Sequence, residues 1–187
     1  MEMATRKNIL MNYLEAIIQL DSLISDNFCE EIIDSYKNFK LEDLPVHHDV
    51  DKNERNVLGY TIGPKKDPFN KIKKEIEKLC IYYRAKFPII VTNRIDQVDL
   101  LKYEVGGKYE YHIDDYTDYS RSISVIVNLN EEYEGGDLIF GDQRKFEVKR
   151  CKLKKGSIVF FPSNFLYPHK IEPITKGTRY SIVTWIH

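Results

Sequence analysis

From Ile95 to the C-terminus the apolar residues of this chain recur every two positions, and no other feature limits the possible folds as tightly. Val98, Leu100 and Lys102 alternate with Asp99, Leu101 and Tyr103, as side chains do on the two faces of a sheet. Gly106-Gly107 marks a turn. Further strands are predicted at 109–114, 122–129, 137–140, 144–148, 157–161, 166–171 and 179–186. Short strands at this spacing, separated by Gly, Asn and Pro, indicate a sandwich or barrel. Thirteen Tyr and nine Phe suit such a β-rich core. Residues 179–186 are apolar on both faces, with Tyr180, Ile182 and Ile186 on one and Val183 and Trp185 on the other. A strand of that kind needs cover on both sides.

The first half of the chain supplies the cover. Residues 7–18 read as a short amphipathic segment ending in the apolar run Ile17-Ile18-Gln19-Leu20. Ser25 is a good N-cap, and Asp26 places a carboxylate where the helix dipole favours it. Phe28, Ile32, Ile33 and Tyr36 then recur at helical spacing, which predicts a helix over 26–38. Residues 41–63 are polar and include His47, His48, Asp49 and Asp51, so a long loop with a short strand near 57–62 is expected. Loops of that length are often functional. Asp67-Pro68 opens a second helix whose apolar stripe runs Phe69, Ile72, Ile76, Leu79, Tyr83 and Phe87, with Lys and Glu on the other face. The expected architecture is α+β and mainly β: a sandwich or jelly-roll with N-terminal helices packed on one sheet. One domain is expected over 1–187, with support in 1–94 and the core in 95–187.

Composition narrows the class. The 28 basic and 29 acidic residues give a net charge of -1, without the basic excess a duplex-coating protein needs. There is no run of about 18 apolar residues to span a membrane. Residues 1–19 hold no uninterrupted signal-peptide core. The three cysteines, Cys29, Cys80 and Cys151, are widely spaced with no C-x-x-C pair, which predicts reduced, buried thiols and a cytoplasmic setting.

The chemistry begins with His112-Ile113-Asp114. On a strand, residues two apart project to one face, so imidazole and carboxylate can converge on one ion. His169, on another predicted strand, is the candidate for a second imidazole. Two histidines and one carboxylate leave open positions and suit Fe(II) and oxygen chemistry. Alone, an H-x-D pair also fits a surface or core histidine. Arg179 starts the last predicted strand, after an expected turn at Thr175-Lys176-Gly177. Its planar fork could grip the far carboxylate of an iron-chelated dicarboxylate, or it could be a solvent-facing Arg. The Tyr103 hydroxyl could donate to the same carboxylate, or the ring could belong to the core.

Five ordered blocks join these residues: Tyr103-Glu104-Val105-Gly106-Gly107, His112-Ile113-Asp114, Tyr133-Glu134-Gly135-Gly136-Asp137-Leu138, Gly156 to Pro162, and His169 to Trp185. Over roughly Gln97 to His187 they resemble the Fe(II)/2-oxoglutarate dioxygenases, within them the prolyl 4-hydroxylase branch. Gln19 to Ile33 is similar to that branch's opening strand and helix. The resemblance implies a double-stranded β-helix, with iron ligands at His112, Asp114 and His169. It implies a 2-oxoglutarate anchor at Arg179, assisted by Tyr103. Where many members have Tyr, this chain has Asn128, which can still donate to the cosubstrate. Trp185 takes the place of a frequent pocket aromatic, or is simply core.

The resemblance further implies hydroxylation of a C–H bond, with succinate and CO2 released, using O2 and with ascorbate as an accessory. A prolyl residue in a protein or peptide is the expected substrate, and Tyr111, Arg121, Trp185 and Tyr116 are expected to bear on its choice. Free amino acids and nucleobases are rival substrates. A silent jelly-roll binding module would not need the full ligand set. A zinc hydrolase would leave Arg179 and Tyr103 without a role. The run Lys149-Arg150-Cys151-Lys152-Leu153-Lys154-Lys155 reads as a solvated edge or turn, with a nucleic-acid groove as the alternative.

Overall fold

The computed structural model describes residues 13–46, 49–88, 94–115 and 120–187. His47, His48, Tyr116 and most of the expected segment at 7–18 lie outside the described residues. In chain order the elements are β1 (Ile18–Leu20), α1 (Asp26–Ser35), β2 (Glu42–Asp43), β3 (Arg55–Asn56), β4 (Leu58–Ile62) and α2 (Phe69–Lys86). The second half holds β5 (Val98–Tyr103), β6 (Lys108–His112), β7 (Ile123–Asn128), β8 (Tyr133–Gly135), β9 (Leu138–Gly141) and β10 (Glu147–Cys151). It ends with β11 (Ile158–Pro162), β12 (His169–Ile171), β13 (Ile174–Gly177) and β14 (Arg179–Ile186).

The strands form a seven-stranded sheet, β1-β11-β7-β14-β5-β4-β2, and a five-stranded sheet, β10-β9-β12-β6-β3. All neighbours in both are antiparallel. This is the jelly-roll with helices on one outer face that the sequence leads one to expect. The larger sheet is buried on both sides. Leu100, Val125, Val127, Phe160 and Ile182 pack outward against Phe28 and Ile32 of α1 and Ile72, Ile76 and Tyr83 of α2. Leu101, Ile126, Val159 and Phe161 pack inward against Leu138, Phe140 and Ile171 of the smaller sheet. Ser25 caps α1, its hydroxyl accepting from the Phe28 amide at 3.3 Å. The three cysteines are free and buried, and burial pushes each thiol up to about 11.

Local hydrogen bonding moves several elements from their expected bounds. The helix expected over 26–38 tightens into a 3-10 turn at Tyr36–Asn38. The apolar run closing the 7–18 segment is a strand, Ile18-Gln19-Leu20, paired antiparallel with β11. The strand expected at 144–148 begins only at Glu147, because Asp142 Oδ1 accepts from the Arg144 and Phe146 amides and closes a turn there. The one expected at 166–171 starts at His169, since Asn164 Oδ1 accepts from the Leu166 amide and Pro168 has no N–H to give. Thr175-Lys176-Gly177 is not a turn but β13, paired with β8. The basic run begins in β10, which lies at the edge of the smaller sheet with Cys151 buried.

Candidate active site

β6 and β12 are neighbours in the smaller sheet, and their register sets His112 directly opposite His169. The two rings lie 4.3 Å apart, centroid to centroid. Asp114 follows the end of β6. Its Oδ1 is 3.5 Å from His112 Nε2 and its Oδ2 is 3.7 Å from His169 Nε2. One donor atom from each residue falls within 4.8 Å of the others. Both Nδ1 atoms face backbone carbonyls, His112 toward Glu110 O at 2.8 Å and His169 toward Tyr167 O at 3.1 Å. An N–H at Nδ1 leaves the Nε2 lone pair free for an ion, the usual orientation of a metal-binding imidazole.

Asp114 is held on two sides. Ser124 Oγ donates to its Oδ2 at 2.6 Å and lies 2.8 Å from Ser163 Oγ. Arg121 Nη1 donates to its backbone carbonyl at 3.0 Å. Burial alone would raise this carboxyl, but His169 and His112 with the Ser124 hydrogen bond outweigh it and hold it well below the ordinary carboxylate range. Burial, with the charge of His112, lowers His169 to about 4. An anionic Asp114 beside a neutral His169 imidazole is a protonation state that suits a divalent ion.

β6 carries an irregularity that the alternation did not reveal. Against β12, His112 pairs with His169 but Tyr109 pairs with Ile171, so three steps on β6 match two on β12. The extra residue is a β-bulge. It turns both Tyr109 and His112 inward, where their rings stack at 3.5 Å. It leaves Tyr111 on the outer face, over Gly141 and beneath the Lys170 ammonium. Tyr111 therefore does not line the site, contrary to expectation.

Between the sheets lies a cavity. The larger sheet contributes Tyr103, Leu101 and Asp99 from β5, Ile126 from β7, and Arg179, Ser181, Val183 and Trp185 from β14. The facing wall holds His112, His169, Asp114, Tyr109, Ile171 and Arg55. Arg179 pairs with Tyr103 across the strands, and its guanidinium lies 5.2 Å from the centre of that ring. Arg179 is 1% exposed, yet its Nη2 has no hydrogen-bond partner among the described residues. Ser181 Oγ and Trp185 Nε1 are buried in the same condition. Buried donors without acceptors are costly, and here they line one cavity with the His-Asp-His cluster. A dicarboxylate that reached from the His-Asp-His cluster to Arg179 would satisfy the guanidinium, so the residues fit both iron and such a cosubstrate.

Asn128 stands behind Arg179 and is not on the cavity wall. Its Oδ1 accepts from Arg179 Nε at 3.0 Å and from the Tyr133 hydroxyl at 3.1 Å, and its Nδ2 donates to the Asn130 and Leu153 carbonyls. It orients the guanidinium and has no donor left for a ligand. Gly136 leaves room for the same side chain: a Cβ there would meet Arg179 Cδ at 3.2 Å and Ile174 Cδ1 at 2.4 Å. Arg121 stacks 3.5 Å from the Trp185 ring centre and stays behind it. Ser124, Ser163, Ser181, Arg55, Tyr109 and Asp99 were not singled out from the sequence. For Ser124, Ser181 and Asp99 the signal was available, because each is a polar residue on an inward-facing row of a core strand.

The comparisons agree with this geometry. Residues 98–187 match the family model of the 2OG-Fe(II) oxygenase superfamily. A PKHD-type hydroxylase of Alteromonas mediterranea is 34% identical over 95 residues, 46% of this chain and 40% of that protein. One from Gloeothece citriformis is 31% identical over 121 residues, 62% of this chain and 51% of that protein. The matches thus span about half or less of these relatives' lengths. A Pseudomonas putida prolyl-4-hydroxylase superposes with a TM-score of 0.75 at 18% identity, covering 92% of each chain. A Trichoplax adhaerens prolyl hydroxylase, solved with a peptide fragment of hypoxia inducible factor, gives 0.74 at 18% identity, covering 96% of this chain and 87% of that one. With the site cluster and the orphaned guanidinium on one jelly-roll cavity, residues 98–187 belong to the 2OG-Fe(II) oxygenase superfamily, on the fold of its prolyl 4-hydroxylase-like branch.

Proposed function

We propose that this chain is a single-domain Fe(II)- and 2-oxoglutarate-dependent dioxygenase, acting in the cytoplasm, that hydroxylates a prolyl residue of a protein or peptide. The observation that carries the reading is Arg179: a buried cation with one amine unpaired, on the same cavity as His112, Asp114 and His169. Iron and 2-oxoglutarate, when bound, supply the oxidation: one atom of O2 enters succinate as CO2 leaves, and the other enters the C–H bond.

The chain's own residues do the rest. His112 and His169 offer Nε2 and Asp114 a carboxylate oxygen, leaving positions for cosubstrate and O2. Arg179 takes the distal carboxylate of the cosubstrate as a charge-assisted pair, with Tyr103 beside it. Leu101, Ile126, Ile171 and Val183 keep water from the reacting groups. Trp185 borders the substrate side.

The test is aerobic incubation with Fe(II), 2-oxoglutarate, ascorbate and a library of proline-containing peptides. Succinate is assayed, and the peptides are searched by mass spectrometry for the gain of one oxygen. Iron-dependent succinate with the mass gain on proline is expected. Succinate with the gain elsewhere would overturn the prolyl assignment, and no 2-oxoglutarate turnover would overturn the whole reading.

A further inference from the structure

The cavity has two ends of opposite character. Across the β5–β14 pair, the rows run Tyr103 with Arg179, Leu101 with Ser181, then Asp99 with Val183. Asp99 is four residues from Tyr103, which at the rise of an antiparallel strand sets it roughly 13 Å from the Arg179 end. The cosubstrate, on the reading above, fills that basic end. Asp99 therefore faces the part of the cavity left for the substrate.

Asp99 is a costly residue to keep there. It is 7% exposed. Its Oδ1 accepts from Thr61 Oγ1 at 2.7 Å, and among the described residues it has no ion pair. Burial raises its pKa, against the Thr61 hydrogen bond and the more distant charges of Arg55 and Arg121. Thr61, on β4, pairs with Asp99 in register and fixes the carboxylate from the neighbouring strand. One oxygen is thus committed to the fold while the group lines the cavity. A buried carboxylate lacking a counter-ion is stabilised most by one arriving with the ligand.

We propose that Asp99 selects the substrate, accepting a charge-assisted hydrogen bond from a cationic side chain, lysine or arginine, next to the residue that is hydroxylated. The inference rests on the oxygenase reading only for which end the cosubstrate takes. An acidic neighbour is disfavoured, because it would meet Asp99 and Asp114 in a space of low polarity.

The experiment uses equal-length peptides whose central residue is proline or alanine and whose neighbour is lysine, norleucine or glutamate. Calorimetry without O2 measures their binding to the full chain loaded with Mn(II) and 2-oxoglutarate. For wild type, the lysine peptides are expected to bind about tenfold or more tightly than the norleucine ones, and the glutamate peptides most weakly. Asp99→Asn should bring the three within about twofold, and Asp99→Lys should invert the order. Mn(II) affinity, read by electron paramagnetic resonance, reports that the variants are folded. Equal binding of all peptides to wild type, or no binding at all, overturns the inference without reference to any variant. A lysine preference that survives in Asp99→Asn overturns it as well. The prolyl assignment is judged separately, by the mass gain on proline against alanine peptides once O2 is admitted, so either idea can fail alone.

Discussion

A guanidinium that is 1% exposed and finds no acceptor for one amine among the described residues is held in place against its own hydration. If Arg179 grips the distal carboxylate, Arg179→Ala removes one partner of a buried pair, at about 2–5 kcal/mol. Apparent 2-oxoglutarate affinity should then fall roughly 30-fold or more, and Arg179→Lys should recover part of it. Uncoupled succinate formation against 2-oxoglutarate concentration measures this; three coincident curves would place the cosubstrate elsewhere. Asp114→Ala should abolish Mn(II) binding while circular dichroism stays native. His169 offers a test by pH. Its folded value of about 4 lies below the ordinary 6.5, so between those values the unfolded chain binds more protons. The metal-free chain is therefore fully stable, as far as His169 is concerned, above about pH 6.5 and loses stability as pH falls toward 4, by at most about 3 kcal/mol. Urea midpoints in the presence of a chelator should show the decline, and His169→Gln should flatten it.

The elements differ in how openly the sequence declared them. The stripe Phe69, Ile72, Ile76, Leu79, Tyr83 is the buried face of α2, and strict alternation made β5, β7, β11 and β14 readable within a residue or so. These elements pack against a core, so hydrophobic period records their geometry. The bulge in β6 is set by pairing with β12, a partner about sixty residues away, and no local pattern marks it. Tyr109 escaped notice for that reason, whereas Tyr111, one residue from His112, faces outward as plain alternation requires. Asn128 was expected to contact the cosubstrate, but it stands behind Arg179, and its commitment to that guanidinium and two carbonyls depends on side-chain contacts that alternation does not encode. The helical layer is cover for the larger sheet and holds no ligand of the His-Asp-His cluster. Ile76→Ala, at a site 1% exposed, should cost about 2–5 kcal/mol in denaturant unfolding. Mn(II) affinity at low denaturant should be unchanged, and a large loss there would show that α2 shapes the centre itself.

At the scale of the whole molecule, the larger sheet is a partition with a helical core on one side and the cavity on the other. The triad was legible because its residue types are rare and chemically loaded. The cavity as a whole was not, since Arg55, Asp99, Tyr109 and Ser181 come from four strands that only the fold brings together. Ligands that bind across both sheets should stabilise the molecule as one unit. At about one hundred times its dissociation constant, 2-oxoglutarate added to the Mn(II)-loaded chain should contribute about 2.7 kcal/mol and raise the melting temperature. The same concentration should give Arg179→Ala little of that rise, and differential scanning calorimetry distinguishes the two.

Trp185 is the chain's single tryptophan, and it stands on the cavity wall with the Arg121 cation stacked on its ring and its indole N–H unpaired among the described residues. The intrinsic ultraviolet emission of this protein therefore arises, above its tyrosine background, from one ring beside the candidate centre. Any ligand that accepts from that N–H or disturbs the Arg121 stack changes the emission directly. The molecule carries its own optical reporter, and occupancy can be followed in real time with no label and no turnover.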